Sequence, residues 1–255
     1  MEFRYIATIN FFSLYSRLLM KYINYLVFFL FVIIISTSSY ADNRRYVWTY
    51  EYQTLPAGKG EFENYFTLSS PDMRHPKGKT TTEHQLELEI GMTDRFDFGI
   101  YQTFQQNPGE ALSYEGYKLR GRYRFGERGG YFVNTLLYLE YKGKADFSEH
   151  EIESKIILAK DFGKINISFN PIFVYEYENK WEFLTEYALG TSYELNELLK
   201  FGVEAKGGKD GNYIGPVIAH GTEKFWVTLG SAFKVGTVKA GNPEFQLRLL
   251  LGVGL

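Results

Sequence analysis

The stretch EIESKIILAKDFGKINISFNPIFVYEY, Glu151 to Tyr177, decides the fold. Before the turn at Asp161 to Lys164, Glu151, Glu153 and Lys155 share one parity, while Ile152, Ile156 and Leu158 share the other. After it, Asn166, Ser168, Asn170 and Glu176 alternate with Ile165, Ile167, Phe169, Phe173 and Tyr175. A period of two is a strand's, because successive side chains of a strand point to opposite faces. Each arm is about as long as the roughly 9 to 11 residues that a tilted strand needs to cross a bilayer, longer than the ~5 to 6 usual in soluble sheets. The stretch therefore predicts a membrane-spanning β-hairpin with one apolar and one charged face.

Outward from this hairpin the pattern recurs. EFENYFTLSS, EHQLELEIGM, FDFGIYQTF, YEGYKLRGRYRF, YFVNTLLYLEYK, the two arms above, WEFLTEYALGTSY, LLKFGVEAK, NYIGPVIAH, FWVTLGSAFKV and EFQLRLLLGVGL make twelve strand-like runs counted from Glu61. No long helical pattern and no Pro/Ser-rich linker divides them. The expected architecture is all-β, an antiparallel transmembrane β-barrel of twelve strands over residues 61–255. Connections at Thr93 to Arg95, Gly126 to Gly130, Asp161 to Lys164, Leu195 to Glu197 and Gly221 to Glu223 read as tight. The intervening ones are mostly longer, and outer-membrane barrels put short turns in the periplasm and long loops outside.

Ahead of the barrel, Arg17 and Lys21 precede the apolar run Tyr25 to Ile35, and Ser39-Tyr40-Ala41 is a small-x-small cleavage site, so residues 1–41 read as a secretory signal peptide. Met20 gives a start that leaves a signal of ordinary length. The apolar run falls short of the roughly 18 residues of a spanning helix. Residues 42–60 form an extended segment; within it Tyr46 to Pro56 has the wrong parity for a thirteenth spanning strand, so it is expected in the periplasm, along the rim or inside the lumen.

Without residues 1–41 the chain keeps 25 Lys and Arg against 29 Asp and Glu, a formal charge of −4, which is no nucleic-acid footprint. The chain has no cysteine, hence no disulfide, thiolate nucleophile or Cys-based metal site. Phe, Trp and Tyr make up 18 % of it, a share that suits interfacial girdles. Its partners are expected to be outer-membrane lipid, the barrel-assembly machinery and small solutes; neither cofactor nor metal is implied.

Side-chain chemistry assigns the faces. Leu119, Tyr123 and Phe125, then Val133, Leu137 and Leu139, then Phe225, Val227, Leu229 and Phe233, and Phe245 to Val253 at alternate positions form apolar stripes with aromatics near their ends. Leu137, Leu229 and Leu249 are expected near mid-stripe. A soluble ligand-binding barrel would turn these stripes inward, but such barrels close with about eight strands around a small cavity.

The opposite parity carries the candidate lumen lining. Lys118, Arg120, Arg122 and Arg124 form a basic ladder, while Glu87, Glu89, Glu140, Glu151, Glu153, Glu176, Glu182, Glu186 and Glu204 supply negative charge and Arg248, Lys142, Lys155, Lys200, Lys206 and Lys234 further positive charge. One reading is an interior stitched by ion pairs and closed to solutes. The other is a water-filled channel whose charged walls select solutes. Pairing Phe125 with Tyr131 across a Gly126 to Gly130 turn sets Arg120 opposite Leu136, Arg122 opposite Asn134 and Arg124 opposite Phe132, with no direct carboxylate on the next strand. Enzymatic readings are weaker: His84 and His150 lie near rim positions, but neither is followed by the Ser familiar from outer-membrane phospholipase, and no Asp-x-His of an omptin protease occurs. The glycine-rich GGKDGN, Gly207 to Asn212, lacks the carboxylate spacing of a calcium loop.

In YQTLPAGKGEFENYFT, IGMTDRFDFGIY, YEGYKLRGRYRF and KDFGKINISFNPIF the chain resembles a porin-like family of uncharacterised bacterial outer-membrane β-barrels. Those proteins share a Leu-Pro-x-Gly turn before an acidic strand and a Thr-Asp-Arg turn closing a later hairpin. The resemblance implies fold, an outer-membrane location in a Gram-negative bacterium and porin-like passage of small hydrophilic solutes, against the alternative of a closed barrel with a structural or surface-interaction role. The last strand resembles the assembly signal of such proteins, with Leu255 where Phe is usual.

Overall fold

The computed structural model describes residues 43–222 and 224–255; the signal-peptide reading of residues 1–41 lies outside the described residues. Twelve strands follow one another: β1 Gly60–Ser70, β2 Thr81–Thr93, β3 Phe96–Gln106, β4 Ser113–Phe125, β5 Asn134–Lys144, β6 His150–Phe162, β7 Ile165–Tyr177, β8 Trp181–Glu194, β9 Leu199–Gly208, β10 Gly211–Gly221, β11 Phe225–Val235 and β12 Phe245–Gly254. Each pairs antiparallel with its neighbours in sequence, and β1 pairs with β12 to close the barrel. Closure satisfies every strand edge, which is what permits a sheet to sit in hydrocarbon.

Leu139, Phe169, Leu189, Val203, Ile218 and Leu229 are exposed on the outside, and Leu229 sits opposite Leu249 in mid-barrel. Rings gather at both ends of this apolar band. Tyr117, Tyr141, His150, Tyr177 and Trp181 lie toward one end, with Tyr175 stacked on Trp181 at 4.4 Å. Tyr123 with Phe125 and Tyr193 with Phe201 lie toward the other. Two aromatic girdles bounding an apolar belt are the exterior of a transmembrane barrel.

Two expectations about β5 are corrected. The tight turn Gly126 to Gly130 is an eight-residue connection, 126–133, and β5 begins at Asn134. Tyr131 and Val133 continue the strand's alternation in sequence, yet Gly126 and Gly129 adopt φ of 78° and 80°, and the Gly129 amide donates to Asn134 Oδ1 at 2.8 Å. The local turn thus takes these residues out of the ladder, and Phe132 is left 89 % exposed. As a result Arg120 faces Glu140, Arg122 faces Tyr138 and Arg124 faces Leu136 in the β4–β5 register. Leu137 accordingly lies only three positions into β5, and Leu139 takes the central place expected of it.

Candidate functional site

The segment before β1 lies inside the barrel and sets the geometry of the lumen. Its backbone amides need acceptors once shielded from water, and inward-facing polar side chains of the wall provide them. Glu204 of β9 accepts from the amides of Val47, Trp48 and Thr49 at 2.9, 2.9 and 2.8 Å. Asn170 Oδ1 accepts from Tyr50 N, while Ser168 Oγ and Asn170 Nδ2 donate to the Tyr50 carbonyl. Thr228 Oγ1 donates to the Arg44 carbonyl at 2.6 Å, and Asp97 Oδ2 accepts from Leu55 N at 3.0 Å. The Tyr46 hydroxyl reaches Asn166 and Ser192, and its ring lies against Gly190, where a Cβ would come within 2.6 Å of Cε1. Gly91 likewise leaves room for the Leu55 and Pro56 carbonyls. Residues 43–56 thus cross the lumen as a strap, fixed to β3, β7, β8, β9 and β11.

Beside the strap, buried charges of β1 to β4 pair with one another in place. Arg120 Nη1 is 2.9 Å from Glu87 and Nη2 2.7 Å from Glu89, all three side chains being inaccessible. Arg122 forms a bidentate pair with Asp97, Nε to Oδ1 at 2.9 Å and Nη2 to Oδ2 at 2.8 Å, and also meets Glu89. Arg44 of the strap joins the cluster at Glu63, 3.5 Å away, and donates to the Tyr65 hydroxyl, which lies 2.8 Å from Glu87. Although Glu140 faces Arg120 in register, it takes Lys118 at 3.1 Å instead; Arg120 and Arg122 find carboxylates on β2 and β3.

The remaining predicted lining residues divide by depth. Arg124 turns toward the short-turn end, donating to the Asp94 carbonyl at 2.8 Å with Glu127 at 3.7 Å. Glu153 pairs with Lys155 at 2.8 Å, Glu151 with Lys142 at 3.4 Å, and Glu182 with Lys180 at 2.9 Å. Glu176 lines the cavity at the long-loop mouth. Arg248 meets Thr67 Oγ1 at 2.9 Å and Glu83 at 3.6 Å. Glu186 lines a cavity deeper in, next to the strap. Asp97, Glu63, Arg44 and Trp48 also belong to the lining, and alternation along the sequence does not single them out. Asp97 follows a register shift at Gly91/Thr93, and the others depend on which strand or segment lies beside them, which alternation does not encode.

Three cavities follow one another along the barrel. The outer mouth, about 570 Å³, is lined among the described residues by eight carboxylates against five lysines. A middle cavity of about 360 Å³ is lined by Trp48, Tyr50, Lys155, Glu186, Lys206 and Arg248 among others. On the short-turn side, a cavity of about 520 Å³ carries Arg45, Arg124, Arg128 and Lys200 against Glu51 and Asp94. The charge is therefore ordered along the axis, acidic at one mouth and basic at the other. In the outer loop 71–80, the Lys79 ammonium and the amides of His75 and Arg74 hold the Asp72 carboxyl below the usual carboxylate range.

At the rim, His150 Nδ1 lies 2.7 Å from the Tyr141 hydroxyl and His84 packs edge-on to Phe66. Neither ring hydrogen-bonds a serine or carboxylate among the described residues.

No protein-family model matches the chain, and no curated protein does. Among solved structures it is similar to an outer-membrane channel from Pseudomonas putida F1, with a TM-score of 0.60 and 12 % identity over 82 % of this chain and 100 % of that one. It is also similar to the KdgM porin, at 0.55 and 6 % over 76 % and 97 % of the two chains. The NanC porin aligns at 0.50 and 8 % over 76 % and 98 %. At these identities the likeness is one of fold, and the fold is that of the outer-membrane β-barrels.

Proposed function

We propose that the chain is a porin-like protein of a Gram-negative outer membrane that passes small hydrophilic solutes, and that residues 43–56 set the width of its path. The observation that carries this reading is the succession of polar cavities along the lumen, with the strap lining both the middle one and the one on the short-turn side. The fold likeness to proteins described as channels and porins supports the same reading. The rim histidines, which hydrogen-bond no serine or carboxylate among the described residues, give an enzymatic role no comparable support.

The closed-barrel alternative draws on the strap itself, which crosses the lumen with its backbone hydrogen-bonded to the wall. Planar-bilayer recording of the refolded chain, with and without residues 43–56, decides between them. A small conductance that grows when the strap is removed is the expected result. A barrel that folds in both forms and conducts in neither overturns the proposal.

A further inference from the structure

We propose that the middle cavity contains a subsite for a small zwitterion of the α-amino acid class. Among its described charges, Arg44, Lys118, Lys155 and Arg248 each have a carboxylate within ion-pairing distance. Lys206 and Glu186 are the exceptions: each feels the other's charge, but among the described residues neither has an opposite charge within ion-pairing distance. Instead Lys206 Nζ is held over the rings of Trp48, 4.6 Å from its centroid, and Tyr213, at 5.6 Å. The Arg248 guanidinium lies 5.8 Å from the same Trp48 centroid. Cation–π contacts position the ammonium over the rings without giving it a carboxylate partner, so a ligand carboxylate can supply one.

Glu186 of β8 and Lys206 of β9 are diagonal neighbours on one inner face, since Glu186 pairs in register with Gly208 and Lys206 with Ala188. Diagonal positions are separated by roughly 7–8 Å, and the two head groups, which form no ion pair, lie on the same wall of the cavity, so that one small molecule carrying its own carboxylate and ammonium can meet both. The wall leaves room for it. Gly207, Gly208 and Gly211 border the cavity, and a Cβ at Gly208 would already stand 3.1 Å from Glu186 Cγ. At about 360 Å³ the cavity is within the range of small-ligand sites. The ligand carboxylate would meet Lys206 and Arg248, its ammonium Glu186, and its side chain the Trp48 and Tyr213 rings. Axial charge order suits the same orientation, because an acidic outer mouth draws the ammonium and a basic inner end the carboxylate.

The proposal rests on the porin-like reading, in which the subsite lies on the solute's path, but binding is measurable without current. Calorimetry on the refolded full chain in detergent compares phenylalanine with 3-phenylpropionate, which lacks the ammonium, and 2-phenylethylamine, which lacks the carboxylate. Phenylalanine should bind at least tenfold more tightly than either. Lys206→Gln should reduce it to the level of 2-phenylethylamine, and Glu186→Gln to that of 3-phenylpropionate, with Lys206→Arg retaining binding as the control for folding. Equal affinity for phenylalanine and either analogue, no binding at millimolar concentration, or indifference to both Gln substitutions overturns the subsite. Binding without bilayer current overturns the porin reading and keeps the subsite; current without binding does the reverse.

Discussion

Glu204 takes the backbone amide of Trp48 at 2.9 Å from inside the barrel wall, and the amides on either side of Trp48 donate to the same carboxylate. One side chain of β9 thereby orients three consecutive peptide units of the strap, and the Trp48 ring with them. Charge-assisted bonds of this kind are worth about 1.5–3 kcal/mol each. Glu204→Ala should free the strap while leaving the strand ladder intact. Mass-detected hydrogen exchange should then lose protection over 47–49, and bilayer conductance should rise. Unchanged protection of those amides would show that the other anchors suffice.

The exterior should be depth-sensitive. Leu139 lies at the centre of β5 and Phe162 at the last position of β6. Arg at a midplane lipid-facing site costs about 2–4 kcal/mol, against about 0–1 near an interface. In denaturant titrations in lipid, Leu139→Arg should lower stability by that larger amount and Phe162→Arg scarcely at all. Equal effects would contradict the depth assignment.

The basic ladder should divide into two roles. Arg120 is fully enclosed with Glu87 and Glu89, so Arg120→Gln leaves Glu87 without its guanidinium, and breaking a buried pair costs about 3–5 kcal/mol. Arg124 is partly open and loosely paired, so Arg124→Gln should cost about 0–1 kcal/mol. The temperature at which the heat-modified gel band appears should fall for the first and stay for the second. The reverse ranking would place the structural arginine wrongly.

Axial charge order predicts asymmetric current. With carboxylates in excess at the outer mouth and cations at the inner one, current–voltage curves should rectify at about 0.1 M salt, where the screening length is about 10 Å. They should become symmetric near 1 M, where it is about 3 Å. Rectification that persists at high salt would point to a moving part instead.

Asp72, hydrogen-bonded to Lys79 at 2.7 Å and to two loop amides, should titrate below an ordinary aspartate. Because its folded pKa is depressed, its contribution to loop order is present above the unfolded pKa and lost as pH falls through the folded one. Carboxyl carbon NMR across the acid range measures this directly. A midpoint at the usual aspartate value would mean that the loop pairing does not form in solution.

Alternation made the twelve strands and the lipid face legible, because a one-residue error reverses every side chain and the apolar stripes leave no choice of face. It failed at Tyr131 to Val133, where residues of the right parity belong to a turn governed by the φ of Gly126 and Gly129. Inward charge was legible for Arg120 and Glu87 separately, but not their pairing across two strand boundaries. Nor did parity disclose the strap's contacts. Tyr46, Trp48, Tyr50 and Tyr52 alternate with a period of two, but that pattern does not say what lies beside them: the acceptors of Tyr46 and Trp48, Asn166 and Glu204, lie more than a hundred residues away in sequence.

That sequence separation bears on assembly. The strap precedes β1, yet its anchors on β7, β9 and β11 follow it by 120, 156 and 184 positions. A chain made from its N-terminus holds these residues without partners until nearly the whole sheet exists. The seam between β1 and β12 joins the two ends of the barrel, so enclosing the strap and sealing the sheet are steps of the same late stage. Contacts this non-local close slowly. Until they do, the aromatic strap is without its wall partners, and its enclosure depends on how quickly the seam shuts behind it.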